Sequence, residues 1–163
     1  MQSNRGFTLF ELLIVLALIG ITSAIALPGL AESTRRNTVW TSSELIGSQI
    51  RQARLKAISR NMSFRIRFDC PSVGQFRVLQ VTGAPAFDNA TNRCSMQQPY
   101  DSGVIAMNPR ISWGSAPPVL TVNSRGVYSS STGIPTTITV TYDGNTSRAL
   151  TMSATGQISF GTY

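Results

Sequence analysis

Hydropathy divides the first thirty residues from the rest of the chain. Residues 1–6 (MQSNRG) are polar with one positive charge, Arg5, and from Phe7 to Leu30 the chain reads FTLFELLIVLALIGITSAIALPGL. As a helix, the uncharged stretch from Leu12 to Ala31 would cover about 30 Å, the thickness of a bilayer core. A basic start followed by such a run predicts a cytoplasmic N-terminus and export of everything after it. Pro28 and Gly29 close the run. Proline removes a helical hydrogen bond and clashes with the preceding turn, so a kink or local melting is expected there, with Gly20 adding softness.

A second helical stretch is expected from Pro28 to about Asn61. Val39, Ile46, Ile50, Ala53 and Ala57 fall within a narrow stripe at 100° per residue, the mark of an amphipathic helix laid on something apolar. Trp40, Leu45 and Ile58 lie off that stripe, to be covered either by a neighbouring molecule or partly by the same domain. From Phe7 to Asn61 the broken helix would be roughly 80 Å long, with a first half too apolar to stand in water. Beyond Asn61 the period changes to two: Phe64, Ile66 and Phe68 alternate with Arg65 and Arg67, giving one buried and one basic face. Further strands are predicted at 75–81, 104–107, 119–122, 136–142, 148–152 and 157–160, with Asp143-Gly144 as a hairpin turn and Thr155-Gly156 as another turn. The segments near Pro85, Pro99, Pro109, Pro117 and Pro118 read as loops. The predicted fold class is α+β, a long N-terminal helix packed by its amphipathic half on an antiparallel β-sheet.

Composition narrows the function. Of the 163 residues 13% are charged, against about 25% in a typical globular domain. Fourteen basic side chains face seven acidic ones, and the chain has no histidine. That removes the usual neutral-pH general base and the commonest metal ligand. A serine nucleophile would lack a histidine partner, and the single lysine, Lys56, sits among other cations on a predicted helix. With two cysteines and no histidine, a zinc site would have to draw on seven carboxylates. The expectation is a non-enzyme without cofactor or metal.

Glu11 separates three readings of the apolar segment. A permanent transmembrane anchor, or a secretory signal peptide cleaved near Ala24-Ile25-Ala26, leaves unexplained a carboxylate four residues into the run, which is costly in lipid. Gly6-Phe7-Thr8-Leu9-Phe10-Glu11-Leu12-Leu13 resembles the N-terminal motif of type IV prepilins and type II secretion pseudopilins. The resemblance implies a leader (1–6) cut between Gly6 and Phe7 by a prepilin peptidase, which methylates the new amine. It also implies a retained transmembrane and filament-core helix (7–30) and a globular periplasmic domain (31–163). Four residues apart on one helix face, Glu11 would then lie beside the freed amine at Phe7, and in a filament beside that of a neighbouring subunit. An unpaired buried charge is strongly unfavourable, so Glu11 would act as a register device.

The C-terminal half adds spaced hydrophobic residues and two glycines, in Leu120-Thr-Val-Asn-Ser-Arg-Gly126, Thr136–Tyr142 and Leu150-Thr-Met-Ser-Ala-Thr-Gly156. This pattern resembles the GspH/FimT group of minor pilins and pseudopilins. It implies a pilin fold and a structural subunit that helps to initiate or cap a type IV pilus or a type II secretion pseudopilus. Its partners would be other pilins or pseudopilins, the prepilin peptidase and, before assembly, the inner membrane. The alternative is a DNA-binding minor pilin acting in DNA uptake, with Arg51, Arg54, Lys56, Arg65 and Arg67 as the candidate phosphate contacts. FimT-like DNA receptors use a Gly-Arg-x-Arg motif near the C-terminus, where this chain reads Gly156-Gln157-Ile158-Ser159 without either arginine. Cys70 and Cys94 lie in the exported part, where they would form either a disulfide or two free thiols; the disulfide would stabilise by roughly 3 kcal/mol.

Overall fold

A computed structural model describes residues 8–161. The expected leader, including Gly6, and the expected first mature residue, Phe7, lie outside the described residues. Helix α1 runs from Leu9 to Arg60. Thr8 begins it as an N-cap, its hydroxyl accepting the Glu11 N–H at 3.2 Å and its carbonyl the Leu12 N–H at 3.2 Å. Asn61 ends it in the left-handed region (φ 51°), with Asn61 N–H donating to Ile58 O and Met62 N–H to Ala57 O, a Schellman closure with asparagine in place of glycine.

The melting expected at Pro28 does not occur: α1 is helical on both sides of it. Proline's fixed φ is compatible with a helix, and its costs, one missing N–H and a ring crowding the carbonyl one turn back, are local. The flanking Ala, Leu and Ile residues keep the remaining helical bonds, so the element stays whole. Thr22 and Thr34 return their hydroxyls to carbonyls one turn back, at 2.9 Å to Leu18 O and 2.9 Å to Leu30 O, so these side chains leave no bare polar group on the apolar stem.

Packing divides the chain into two units, one through Arg36 and one from Asn37. In the second unit the predicted stripe is the buried face of α1: Val39, Ile46, Ile50, Ala53 and Ala57 are each at most 1% exposed. They meet strands β1 (Phe64–Phe68), β2 (Gln75–Gln80), β3 (Ile105–Ala106), β4 (Ile111–Trp113), β5 (Leu120–Val122), β6 (Tyr128–Ser130), β7 (Thr136–Tyr142), β8 (Thr146–Met152) and β9 (Ile158–Phe160). These form two antiparallel sheets, in the orders β3-β2-β1-β5-β6 and β4-β7-β8-β9, where a single sheet was expected. Alternation in a sequence says which face of a strand is buried, not which strand lies beside it. β4 and β6, three residues apiece, were not predicted. At the predicted hairpin, Asp143 (φ 46°) and Gly144 (φ 74°) both take the left-handed conformation that a tight β7–β8 turn demands.

The segment read as loop around Pro85 contains a helical turn, α2 (Pro85–Asp88), and a 3₁₀ turn (Thr91–Cys94). Proline at the first helical position loses no bond the helix would have made. Cys94 is tied to Cys70 by a disulfide, with the two Cα atoms 5.2 Å apart. Within this segment Arg93 is 1% exposed and bonds both oxygens of Asp101, at 2.7 and 2.9 Å. Arg77, opposite Arg67 in the β1–β2 register, donates to the carbonyls of Met96 (2.9 Å) and Ser102 (2.9 Å) and to Gln97 Oε1 (2.6 Å), with Asp101 Oδ2 4.0 Å away, so its charge is held by backbone dipoles, an amide and a carboxylate.

Candidate functional site

In the first unit the apolar side chains of α1 are uncovered. Leu9, Phe10, Ile25, Leu27 and Leu30 are each more than 60% exposed, and Leu12, Leu13, Leu16, Leu18, Ile19 and Ile21 more than half. Among the described residues α1 is the one helix long and apolar enough to cross a membrane, and none of its apolar window is buried within the chain. An apolar surface of this extent is unstable in water and has to be covered by lipid or by other helices.

Glu11 stands exposed in the first turn of that stem. Sequence reasoning missed its local partner. Thr8-x-x-Glu11 has the spacing of a capping box, and the Thr8 half of that box is formed. An acid in the first turn is also favoured by the helix dipole. Glu11 therefore has a role in starting the helix whatever else it meets. Whether it lies beside the Phe7 amine falls outside the described residues.

The five cations proposed for DNA are not gathered into one strip. Arg51, Arg54 and Lys56 belong to α1, whereas Arg65 and Arg67 alternate with the core residues Phe64 and Ile66 and so lie on the opposite face of the β1 sheet from the helix. Arg51 pairs with Glu44 at 3.8 Å, and Arg54 Nε donates to Gly126 O at 3.0 Å. Lys56 donates to Tyr100 O and stands 5.1 Å over the Phe64 ring; burial lowers its pKa, opposed by Asp101 and reinforced by Arg60. Arg65 Nη1 donates to Asp88 O (3.0 Å) and Asn89 Oδ1 (2.8 Å), and Arg67 Nη1 reaches Ala90 O at 3.4 Å. Trp40, Leu55 and Ile58 remain 48%, 67% and 48% exposed on α1. Among the described residues no three His, Cys, Asp or Glu side chains cluster as a metal site requires.

The two glycines of the C-terminal pattern acquire a physical role. Gly126 (φ 77°) and Gly156 (φ 76°) are left-handed, and a Cβ would lie 2.8 Å from Ile58 Cδ1 at the first and 2.9 Å from Tyr128 Cε2 at the second. Both turns close onto the helix face that carries Arg54, and the Tyr128 hydroxyl donates to Ile50 O beside them.

A family model described as type II transport protein GspH matches residues 42–156, and one described as the prokaryotic N-terminal methylation motif matches residues 1–27. The chain belongs to the type IV pilin-like GspH/FimT family. Its relatives include the fimbrial protein EcpC of Eikenella corrodens, 46% identical over 48 residues, 29% of this chain and 31% of that protein. The pilin-like protein PilA1 of Thermus thermophilus is 41% identical over 60 residues, 37% of each chain. A fimbrial protein of Pseudomonas aeruginosa is 51% identical over 39 residues, 24% of this chain and 25% of that one. The chain thus matches only 25% to 37% of these relatives' length. In fold it is similar to the type IV minor pilin FimU of Pseudomonas aeruginosa, with TM-scores of 0.54 and 0.50 in two crystal forms. The first alignment covers 79% of this chain and 92% of FimU at 18% identity. The family is one of structural pilin subunits, and this chain carries an exposed apolar stem from Leu9 to Leu30.

Proposed function

We propose that this protein is a minor pilin or pseudopilin that helps to initiate or cap a type IV pilus or a type II secretion pseudopilus. The observation that carries the reading is the uncovered stem, Leu9 to Leu30, on a chain whose second unit has its own closed core. Before assembly the stem crosses the inner membrane once, with its N-terminus cytoplasmic and the α+β unit periplasmic. The peptidase removes residues 1–6 between Gly6 and Phe7 and methylates the amine. Residues 7–30 then pass from lipid into a bundle of pilin helices, and residues 31–163 are presented to neighbouring subunits. Glu11 sets the register, because a carboxylate left without an amine inside an apolar bundle is strongly unfavourable.

Intact mass and N-terminal sequencing of protein extracted from native membranes test this directly. N-methylated Phe7 in both the membrane and sheared-filament fractions is the expected result. A mature form that begins at Leu27, or one absent from every filament fraction, overturns it.

A further inference from the structure

The outer face of the five-stranded sheet is covered over only part of its width. The disulfide-braced segment lies over Arg77 and Leu79 of β2 and stops at Asn89, leaving an open groove of about 410 Å³ over β1, β5 and β6. The strand registers line it with rows. Arg65 lies opposite Thr121, and Thr121 opposite Ser129. One step along, Arg67 shares the groove with Val119 and Ser131, whose hydroxyl accepts the Val119 N–H at 3.1 Å. No carboxylate lines this groove. The two guanidiniums spend Nη1 on carbonyl and amide oxygens of residues 88–90, Arg65 Nε is buried without an acceptor, and neither arginine has an ion pair among the described residues. Burial, then the charges of Arg65 and Arg93, lower the Arg67 pKa.

We propose that this groove binds an extended acidic peptide segment of a protein other than a second copy of this chain. Arg65 and Arg67 are two residues apart on one strand, about 6.6 Å, which is also the repeat of alternate side chains in an extended peptide. Carboxylates at alternate positions would each meet one guanidinium, with the hydroxyls of Thr121, Ser129 and Ser131 bonding the rest of the segment. A second copy is a poor source of acid. Glu32, Glu44, Asp69, Asp88 and Asp101 are bonded within their own chain, Glu11 belongs to the stem, and Asp143 is a lone acid in a tight turn. A single strand bound through its bases is disfavoured because no aromatic side chain lines the groove to stack them.

The test uses the detergent-solubilised full chain and a dye-labelled peptide of alternating Glu and Ser, about eight residues long to span the groove. Fluorescence anisotropy is expected to show the Glu peptide binding at least about tenfold more tightly than its Gln counterpart, and weakening as salt rises. R67Q and T121E should each weaken it by about tenfold, while R51Q/R54Q stays within about twofold. T121E decides the matter if R67Q loses its near-ultraviolet circular dichroism, because it retains both arginines and fills the groove with the chain's own carboxylate. Equal binding of the Gln peptide, indifference to T121E, binding of inorganic phosphate or oligothymidylate in place of the Glu peptide, or no binding at all overturns the proposal. None of these outcomes touches the filament reading, which is tested on native material.

Discussion

At the level of single residues, two carboxylates have opposite settings and fail in different ways. Glu11 is exposed and shares the first turn of α1 with its cap, Thr8. A cap role and a register role can be separated, because glutamine suits a capping box but carries no charge. Glu11→Gln is expected to insert into the membrane normally and yet be missing from filaments, as is Glu11→Ala; immunoblots of sheared filaments against membranes measure this. Wild-type incorporation of the Gln variant would leave capping as the whole account. Asp101 lies at the end of the disulfide-braced segment. Burial alone would raise its carboxyl, but Arg93 and the Gln80 and Gln98 N–H groups outweigh that and hold it below the usual carboxylate range. A depressed folded pKa contributes stability above the unfolded value of about 4, and that stability is lost as pH falls through the folded value. Melting temperature should therefore fall as pH drops through the folded value. In Asp101→Asn that dependence should flatten, at a cost of about 3–5 kcal/mol near neutrality because Arg93 is left buried without its counter-charge.

At the level of elements, the segment from Val81 to Asp101, which follows β2, illustrates how a stretch of low regularity is held in place. It has one helical turn and one 3₁₀ turn, and it is ordered by a disulfide spanning 24 residues and by arginines that reach up from β1 and β2. Replacing both cysteines with serine should lower unfolding free energy by roughly 3 kcal/mol and raise hydrogen exchange in residues 84–98 before the rest of the unit. Uniform loss across both sheets would mean the bridge stabilises the whole unit. The β5–β6 and β8–β9 turns depend on glycine for two reasons at once, left-handed backbone and close approach. Gly126→Ala and Gly156→Ala should each cost about 1–3 kcal/mol in urea unfolding, since an added methyl adds strain and displaces Ile58 or Tyr128.

For the whole molecule, the two units have different solvents. The second buries its stripe of α1 against both sheets, while the first buries nothing of its apolar run. A fragment beginning at Asn37 should therefore be soluble without detergent and unfold cooperatively, but never enter a filament. Size-exclusion chromatography with thermal circular dichroism checks the first claim and complementation in the host the second. Insolubility of the fragment would show that the second unit depends on the stem.

What could be read from the sequence follows from periodicity and from spacing. The run from Leu12 to Ala31 announces its own solvent, the stripe from Val39 to Ala57 is the buried face of α1, and alternation through Phe64, Ile66 and Phe68 separates core from basic surface. Each of these is a local property, set by 3.6 or two residues per repeat. The Thr8-Glu11 spacing was equally local but was overlooked. Tertiary structure alone decided the rest: the division into two sheets, the short strands Ile111–Trp113 and Tyr128–Ser130, the burial of Arg77 and Arg93, and the parting of Arg51 and Arg54 from Arg65 and Arg67. A strand's pattern does not name its neighbour. A buried arginine looks like any surface arginine until a distant Asp101, or a row of carbonyls, is folded against it.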